Sequence, residues 1–289
     1  MVYIKLLLTA LFWGGTFIAG RLIADRVQPF SAAFLRFAVA SSLLLLLMVR
    51  QEGRLPRINR AQFVALFFLG MTGVFAYNAL FFKGLQFVSA GRASLIIANN
   101  PVFITLFAAL IFKEKLSWVN VGGILLSVTG VIIVISKGDP GVLLSGGVGW
   151  GELLIFGCVA SWVAYSLIGK AIMRDLSPLV SVSYSALMGT AALIIPALVE
   201  GIATGIPDYS ILDWTCISYL GVFGTVLGFV WYYEGIKALG ATRAGQFINF
   251  VPVCAILLAF LILGEPFTWS LLVGAGFVFS GVTIANMKS

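Results

Sequence analysis

The chain contains no histidine, which excludes imidazole acid–base catalysis and any His-ligated metal. A Ser–His dyad is impossible for the same reason. Its three cysteines, Cys158, Cys216 and Cys254, stand singly in apolar runs and read as small packing residues rather than a disulfide or a metal site. Charge is scarce: 10% of residues are charged against 61% hydrophobic, with a mean hydropathy of +1.08, too little to cover a soluble surface. No Asp or Glu falls near the middle of any apolar stretch, Glu152 and Glu234 lying close to stretch ends. That removes the paired Asp of an intramembrane aspartyl protease and the titratable group that proton-driven antiport usually needs. The net charge of +7 comes from basic residues scattered through short loops, with no basic face to hold nucleic acid. No cofactor or metal is expected.

What the chain does have is apolar length. A window near 19 residues finds ten stretches able to cross a bilayer, approximately 4–23, 31–49, 62–83, 92–112, 118–136, 150–169, 178–199, 212–233, 244–263 and 268–286. The first lacks a small-residue cleavage site and is similar to a later span, so it reads as mature structure. With the N-terminus inside, twelve basic residues fall in cytoplasmic segments, among them Lys5, Arg50, Arg54, Arg57, Arg60, Lys113, Lys115 and Arg243. Five, Arg21, Arg26, Lys83, Arg92 and Lys137, fall outside, and Arg36 lies within the second span. The positive-inside rule therefore predicts both termini in the cytoplasm.

The chain also repeats itself. Ala90, Arg92, Ala93, Pro101, Glu114, Trp118, Gly123 and Gly130 recur 151 positions later as Ala241, Arg243, Ala244, Pro252, Glu265, Trp269, Gly274 and Gly281. Five spans separate Glu114 from Glu265, and five is odd, so the two halves must be upside down relative to one another. The expected division is a first five-helix repeat over 1–137, a linker over 138–148 and an inverted second repeat over 149–289. Inverted halves can exchange conformations and open a central site to either side in turn.

Spans four and nine each hold an internal proline, Pro101 and Pro252, which should kink the helix and free the carbonyls of Ile97 and Ile248. Amides cluster beside them: Asn99 and Asn100, then Gln246 and Asn249. These suit either a cavity lining or interhelical hydrogen bonds. Trp13, Thr16 and Phe17 share one helical face, and Trp162, Tyr165 and Ser166 repeat the spacing. Tyr77 and Asn78 precede Lys83 as Trp231 and Tyr232 precede Lys237. These residues are the candidate substrate-binding set, with Trp13 and Trp162 near its middle and the others forming two pseudo-symmetric gates. Trp118, Trp150, Trp214 and Trp269, at span ends, read as interfacial anchors. Arg36, five residues into its span, reads as snorkelling to the outer interface. Gly224 and Gly228, with Gly70, Gly73, Gly122, Gly123, Gly274 and Gly276, read as close helix–helix contacts.

The run Ser89-Ala90-Gly91-Arg92-Ala93-Ser94, then Asn100-Pro101 and Lys113-Glu114-Lys115-Leu116-Ser117, resembles the drug/metabolite transporter superfamily in its ten-helix EamA-type branch. Gly240-Ala241-Thr242-Arg243-Ala244, Val251-Pro252 and Gly264-Glu265-Pro266 supply the second half of that resemblance, and Leu11-Phe12-Trp13-Gly14-Gly15-Thr16-Phe17 its first helix. The resemblance implies an all-α membrane protein with a central cavity built from helices 1, 3, 4, 6, 8 and 9. It implies export of small metabolites, often amino acids, and within the branch the chain is similar to bacterial exporters of aromatic amino acids. It also implies a multi-pass protein of a bacterial plasma membrane, with the lipid bilayer and a small-molecule solute as partners and a monomer as a plausible state. A cavity of rings and amides suits a neutral or zwitterionic solute moved down its gradient. Proton-coupled export of amphipathic drugs, nucleosides or vitamins is the alternative, and a non-transporting receptor or structural membrane protein stays open.

Overall fold

Among residues 1–53, 55–113, 116–139, 148–172 and 176–286, which the computed structural model describes, every regular element is a helix. By length and composition nine can cross a membrane: α1 (Val2–Ile23), α2 (Pro29–Glu52), α3 (Arg60–Leu85), α4 (Ala90–Ile111), α5 (Trp118–Ile135), α6 (Trp150–Gly169), α7 (Pro178–Val199), α8 (Ile211–Leu239) and α9 (Arg243–Leu263). A tenth apolar helix, α10 (Trp269–Ala285), has 17 residues, at the short end of the roughly 17–25 that span a bilayer. The molecule is the all-helical membrane protein expected. Its outer faces expose Phe67, Phe68, Ile195, Leu198, Leu261 and Ile262, an apolar surface that only lipid would cover. Trp118, Trp150 and Trp269 are exposed at helix ends, as interfacial anchors would be. Glu114 and most of the expected linker over 138–148 lie outside the described residues.

The helices start where a short polar side chain meets their first amides, and the starts repeat. Asn59 and Gln62 form a reciprocal capping box at α3, and Ser210 and Asp213, 151 residues on, form one at α8. Ser117 caps α5 as Thr268 caps α10. Pro29 and Pro178, each in the first turn of its helix, open α2 and α7. Past the capped turns, α3 and α8 each widen into a π-helical segment, at Gly70–Ala76 and Val222–Leu227. Two side chains of the second half cap the first: Glu200 accepts from the Ser31 amide at 2.8 Å, and Glu265 accepts from the amides of Ala90 and Gly91 at 2.7 and 3.0 Å.

Two pairs of equivalent helices, α5 with α10 and α2 with α7, pack antiparallel. Along the α5–α10 seam Gly123 lies against Gly281 and Ala285, while Gly130 lies against Gly274 and Val278. The Gly123–Gly281 contact maps onto the Gly274–Gly130 contact when 151 is added or subtracted, the behaviour of a two-fold axis. In α2 and α7 the equivalence runs at 149, and there Ser41 and Thr190 hydrogen-bond each other at 3.0 Å. A Cβ on Gly130 would lie 2.7 Å from the Gly274 carbonyl oxygen and the Val278 nitrogen, so the seam requires glycine. Not every glycine works this way: Gly122 and Gly276 meet nothing within 4 Å, correcting the expectation that they pack helices.

Gly130→Leu is expected to lower the stability of the detergent-solubilised protein by about 3 kcal/mol or more, because backbone on both sides of the seam must move apart. Gly122→Leu is expected to leave the melting temperature within a degree or so of the parent, since that position faces open space. Thermal unfolding of the two variants side by side checks the seam.

Candidate functional site

The site begins with irregular backbone. Proline at position 101 cannot donate to a helical carbonyl, and α4 breaks just ahead of it, into Ala90–Ile97 and Asn100–Phe112. α9 breaks likewise between Ala241–Ile248 and Phe250–Leu258, just ahead of Pro252. In the π-helical segments of α3 and α8 the regular carbonyl partners also shift. Side chains take up the carbonyls so released. Trp13 Nε1 donates to the Gly224 carbonyl at 3.0 Å, Asn78 Nδ2 to that of Val74 at 2.8 Å, Asn99 Nδ2 to that of Leu95 at 3.0 Å, and Thr225 to that of Leu220 at 3.0 Å.

Around these points the rings of four helices meet. Trp13 lies 5.7 Å from Phe229 and 5.4 Å from Tyr232. Trp162 lies 5.1 Å from Tyr165, stacked, and 5.5 Å from Tyr77, with Phe229 at 6.4 Å joining the two tryptophans through one ring. Tyr233 packs on the far side of Phe229 at 6.3 Å. Trp13, Tyr77, Trp162, Tyr165, Phe229 and Tyr232 are all half-buried, so the cluster is packed yet reachable. Contacts of this kind contribute about 0.5–1.5 kcal/mol per ring pair beyond the area they bury, and their faces accept an apolar or aromatic side chain as readily as each other.

The predicted residues divide accordingly. Trp13, Tyr77, Trp162, Tyr165 and Tyr232 come together. Thr16 is buried beside them, its hydroxyl donating to the Trp13 carbonyl at 2.6 Å, and Ser166 donates to the Trp162 carbonyl at 2.8 Å. Phe17 is 4% exposed and packs on Phe81 in the hydrophobic core. Asn78 is buried, serving α3 carbonyls and accepting from Arg36. Asn99 accepts from Ser127 at 2.7 Å and borders a separate apolar cleft with Phe103, Val131 and Phe156. Asn100 is buried beside the α4 break, its Oδ1 without a hydrogen-bond partner among the described residues. Trp231 sits apart, against Phe12 and the Lys5–Glu234 ion pair. Gln246 is exposed and Asn249 half-buried on the first half of α9.

Phe229 and Tyr233 are members that sequence reasoning missed, although Phe229, Tyr232 and Tyr233 stand at i, i+3 and i+4 on one face. Arg36 is the larger correction. It does not snorkel: the residue is 8% exposed, and its guanidinium turns inward to Asn78 Oδ1 at 2.9 Å and the Thr225 hydroxyl at 3.3 Å.

The two ends of the bundle differ. At one end the first half of α4 is sealed: Ser89 caps it, Glu265 takes two of its amides, and Arg92 pairs with Glu152 and donates to the Ile135 carbonyl, both at 3.0 Å. Ala90, Gly91, Ala93, Ser94, Leu95 and Ile96 are all buried. At the opposite end the equivalent part of α9 starts from Gly240, at φ 84°, with no side-chain cap. Arg243 and Gln246 there are exposed, and Trp13 and Tyr232 line a narrow crevice with Phe247 and Ile248.

Comparison with known proteins points the same way. A protein described as an uncharacterized transporter, YyaM, of Bacillus subtilis is 31% identical over 99% of this chain and 93% of its own length. One described as a probable terminal-alkyne amino-acid exporter, of Streptantibioticus cattleyicolor, is 29% identical over 98% of this chain and 93% of its own. A solved structure described only as a crystal structure of protein shares the fold with a TM-score of 0.66 at 19% identity, over 98% of this chain and 96% of that one. The EamA-like transporter family matches residues 1–136 and again 149–287; the chain belongs to that family.

Proposed function

We propose that this transporter exports amino acids with large apolar side chains by alternating access, with its N-terminus in the cytoplasm and without obligatory proton coupling. The observation that carries the reading is the contrast between equivalent helix starts. The α4 start is sealed by Ser89, Glu265 and Arg92, whereas among the described residues no side chain caps the α9 start at Gly240. A bundle closed at one end and loosened at the other, built from inverted halves, is what one station of an alternating-access cycle would look like. In the N-in arrangement the sealed end is external. The rings supply a surface for an apolar side chain, and the resemblance to an amino-acid exporter supports that class of solute. Facilitation rather than proton coupling is supported by buried Glu152, which is held by Arg92, while buried Asp213 accepts through Oδ2 in a capping box and its Oδ1 has no partner among the described residues.

Counterflow of labelled tryptophan, phenylalanine and threonine into liposomes, with and without a proton gradient, tests the reading. Saturable exchange of the aromatic amino acids, indifferent to the gradient, is expected; flux that needs the gradient would overturn the uncoupled mechanism, and none with any amino acid would overturn the substrate class. Trp162→Ala is expected to raise the half-saturating concentration about tenfold, the equivalent of one or two lost ring contacts.

The sealed end gives a second test. A membrane-impermeant maleimide should label Arg243→Cys only from the cytoplasmic side and should leave Ala93→Cys untouched, since Ala93 is fully buried. Glu265→Gln should raise labelling of Ala93→Cys about tenfold, for the loss of a charge-assisted hydrogen bond to a helix start. Labelling of Arg243→Cys from outside intact cells would overturn the orientation.

A further inference from the structure

Among the described residues, no opposite charge meets Arg36 inside the bundle. Its hydrogen bonds among the described residues go to Asn78 and Thr225, both neutral, while the Phe37 ring lies at 5.3 Å and Tyr77 is also close by. No carboxylate among the described residues lies within ion-pair distance of it. An uncompensated cation at membrane depth is costly and is kept only where it does something.

The fold itself does not need a cation at this place. Gly221 backs onto the carbonyl of Arg36, and its equivalent Gly70 backs onto the carbonyl of Ser185 in the other half. Arg36 and Ser185 therefore occupy the same position in the two repeats. Ser185 donates to the Val182 carbonyl at 3.1 Å and also meets Tyr165 of α6. The second half thus holds this position with a neutral hydroxyl.

The geometry of the guanidinium indicates its use. Thr225 holds Nε and Asn78 holds Nη1, which fixes the plane of the fork and leaves Nη2 outside these hydrogen bonds. Nη2 lies near Gly224: a Cβ built there would lie 3.8 Å from Nη2 and 2.6 Å from the Thr16 methyl. The Gly224 carbonyl accepts from Trp13, which opens onto the ring cluster. We propose that Arg36 is the docking group for the carboxylate of the transported solute, received end-on by Nη1 and Nη2 while the apolar body of the solute lies against Trp13, Phe229 and Trp162. Planar two-point pairing of this kind favours arginine over lysine. The proposal rests on the transporter reading and narrows it, to solutes that combine a carboxylate with an apolar body.

Thermal unfolding of the purified protein with matched acid and amide pairs tests it: 3-phenylpropionate against 3-phenylpropionamide, and phenylalanine against phenylalaninamide. In the wild type each acid should raise the melting temperature and its amide should not. Arg36→Gln should abolish the preference, and Arg36→Lys, which keeps the charge without the fork, should weaken acid binding about tenfold. Equal effects of acid and amide, or no effect of either, in the wild type overturn the proposal whether or not the variants fold. Phenylalanine counterflow run in parallel separates it from the parent reading. Acid preference without phenylalanine flux keeps the anchor and overturns the amino-acid substrate. Flux without acid preference keeps the transporter and overturns the anchor.

Discussion

In hydrocarbon no water is available to an unpaired peptide group, so every N–H and C=O the chain releases must be met from within. The rest of the molecule is arranged around that requirement. Two helices break at prolines, while α3, α8 and the end of α9 widen into π-helical segments, and each departure frees carbonyls. The groups that come to meet them, the Trp13 indole, the Asn78 and Asn99 amides and the Thr225 hydroxyl, have to project inward to do so. Polar atoms and ring faces thus gather in the centre as a consequence of backbone chemistry, and a site exists there because the helices could not stay regular.

Duplication supplies the second ingredient. The glycine seam between α5 and α10 and the Ser41–Thr190 contact lie where a two-fold axis would pass, and the capping box at Asn59 has its counterpart at Ser210. A perfectly symmetric molecule would have no preferred side. Here two substitutions between the halves break the degeneracy: serine at position 89 faces glycine at 240, and arginine at 36 faces serine at 185. The first leaves the start of α9 without the side-chain cap that Ser89 gives α4. The second gives the centre a charge that has a direction.

Much of this is legible in the residues alone. Spans follow from hydropathy because bilayer thickness sets one length for all of them, and the inverted relation follows from the odd number of spans between repeated residues. Trp13, Trp162 and Tyr165 can be placed because α1 and α6 are regular and their spacing translates directly into a face. Phe229 cannot be separated from Trp231 by the same logic. The π-helical segment at Val222–Leu227 shifts the register of the downstream turns, by about 100° for each inserted residue, so the face counted from the start of α8 is not the face that arrives at the centre. Nor does amphipathicity help in lipid, where a helix can be apolar on every side. Gly122 and Gly123 illustrate this: adjacent in sequence, one touches nothing and the other touches the seam, and hydropathy assigns them the same value. Arg36 escapes sequence reasoning for a different reason. Long cations near a span end usually reach for water, and only the position of Asn78 and Thr225 reveals that this one turns inward.

Glu265 has a consequence for how the molecule is made. It closes the start of α4 from 175 residues away along the chain. While the polypeptide is being synthesised, α4 enters the membrane long before its acceptor has been translated, and its first amides must wait until α9 has followed. Glu200 imposes the same delay on α2. The first half therefore cannot mature as an autonomous unit and then be joined by the second. The order of assembly is written into the caps, and the last helices threaded into the bilayer complete the first.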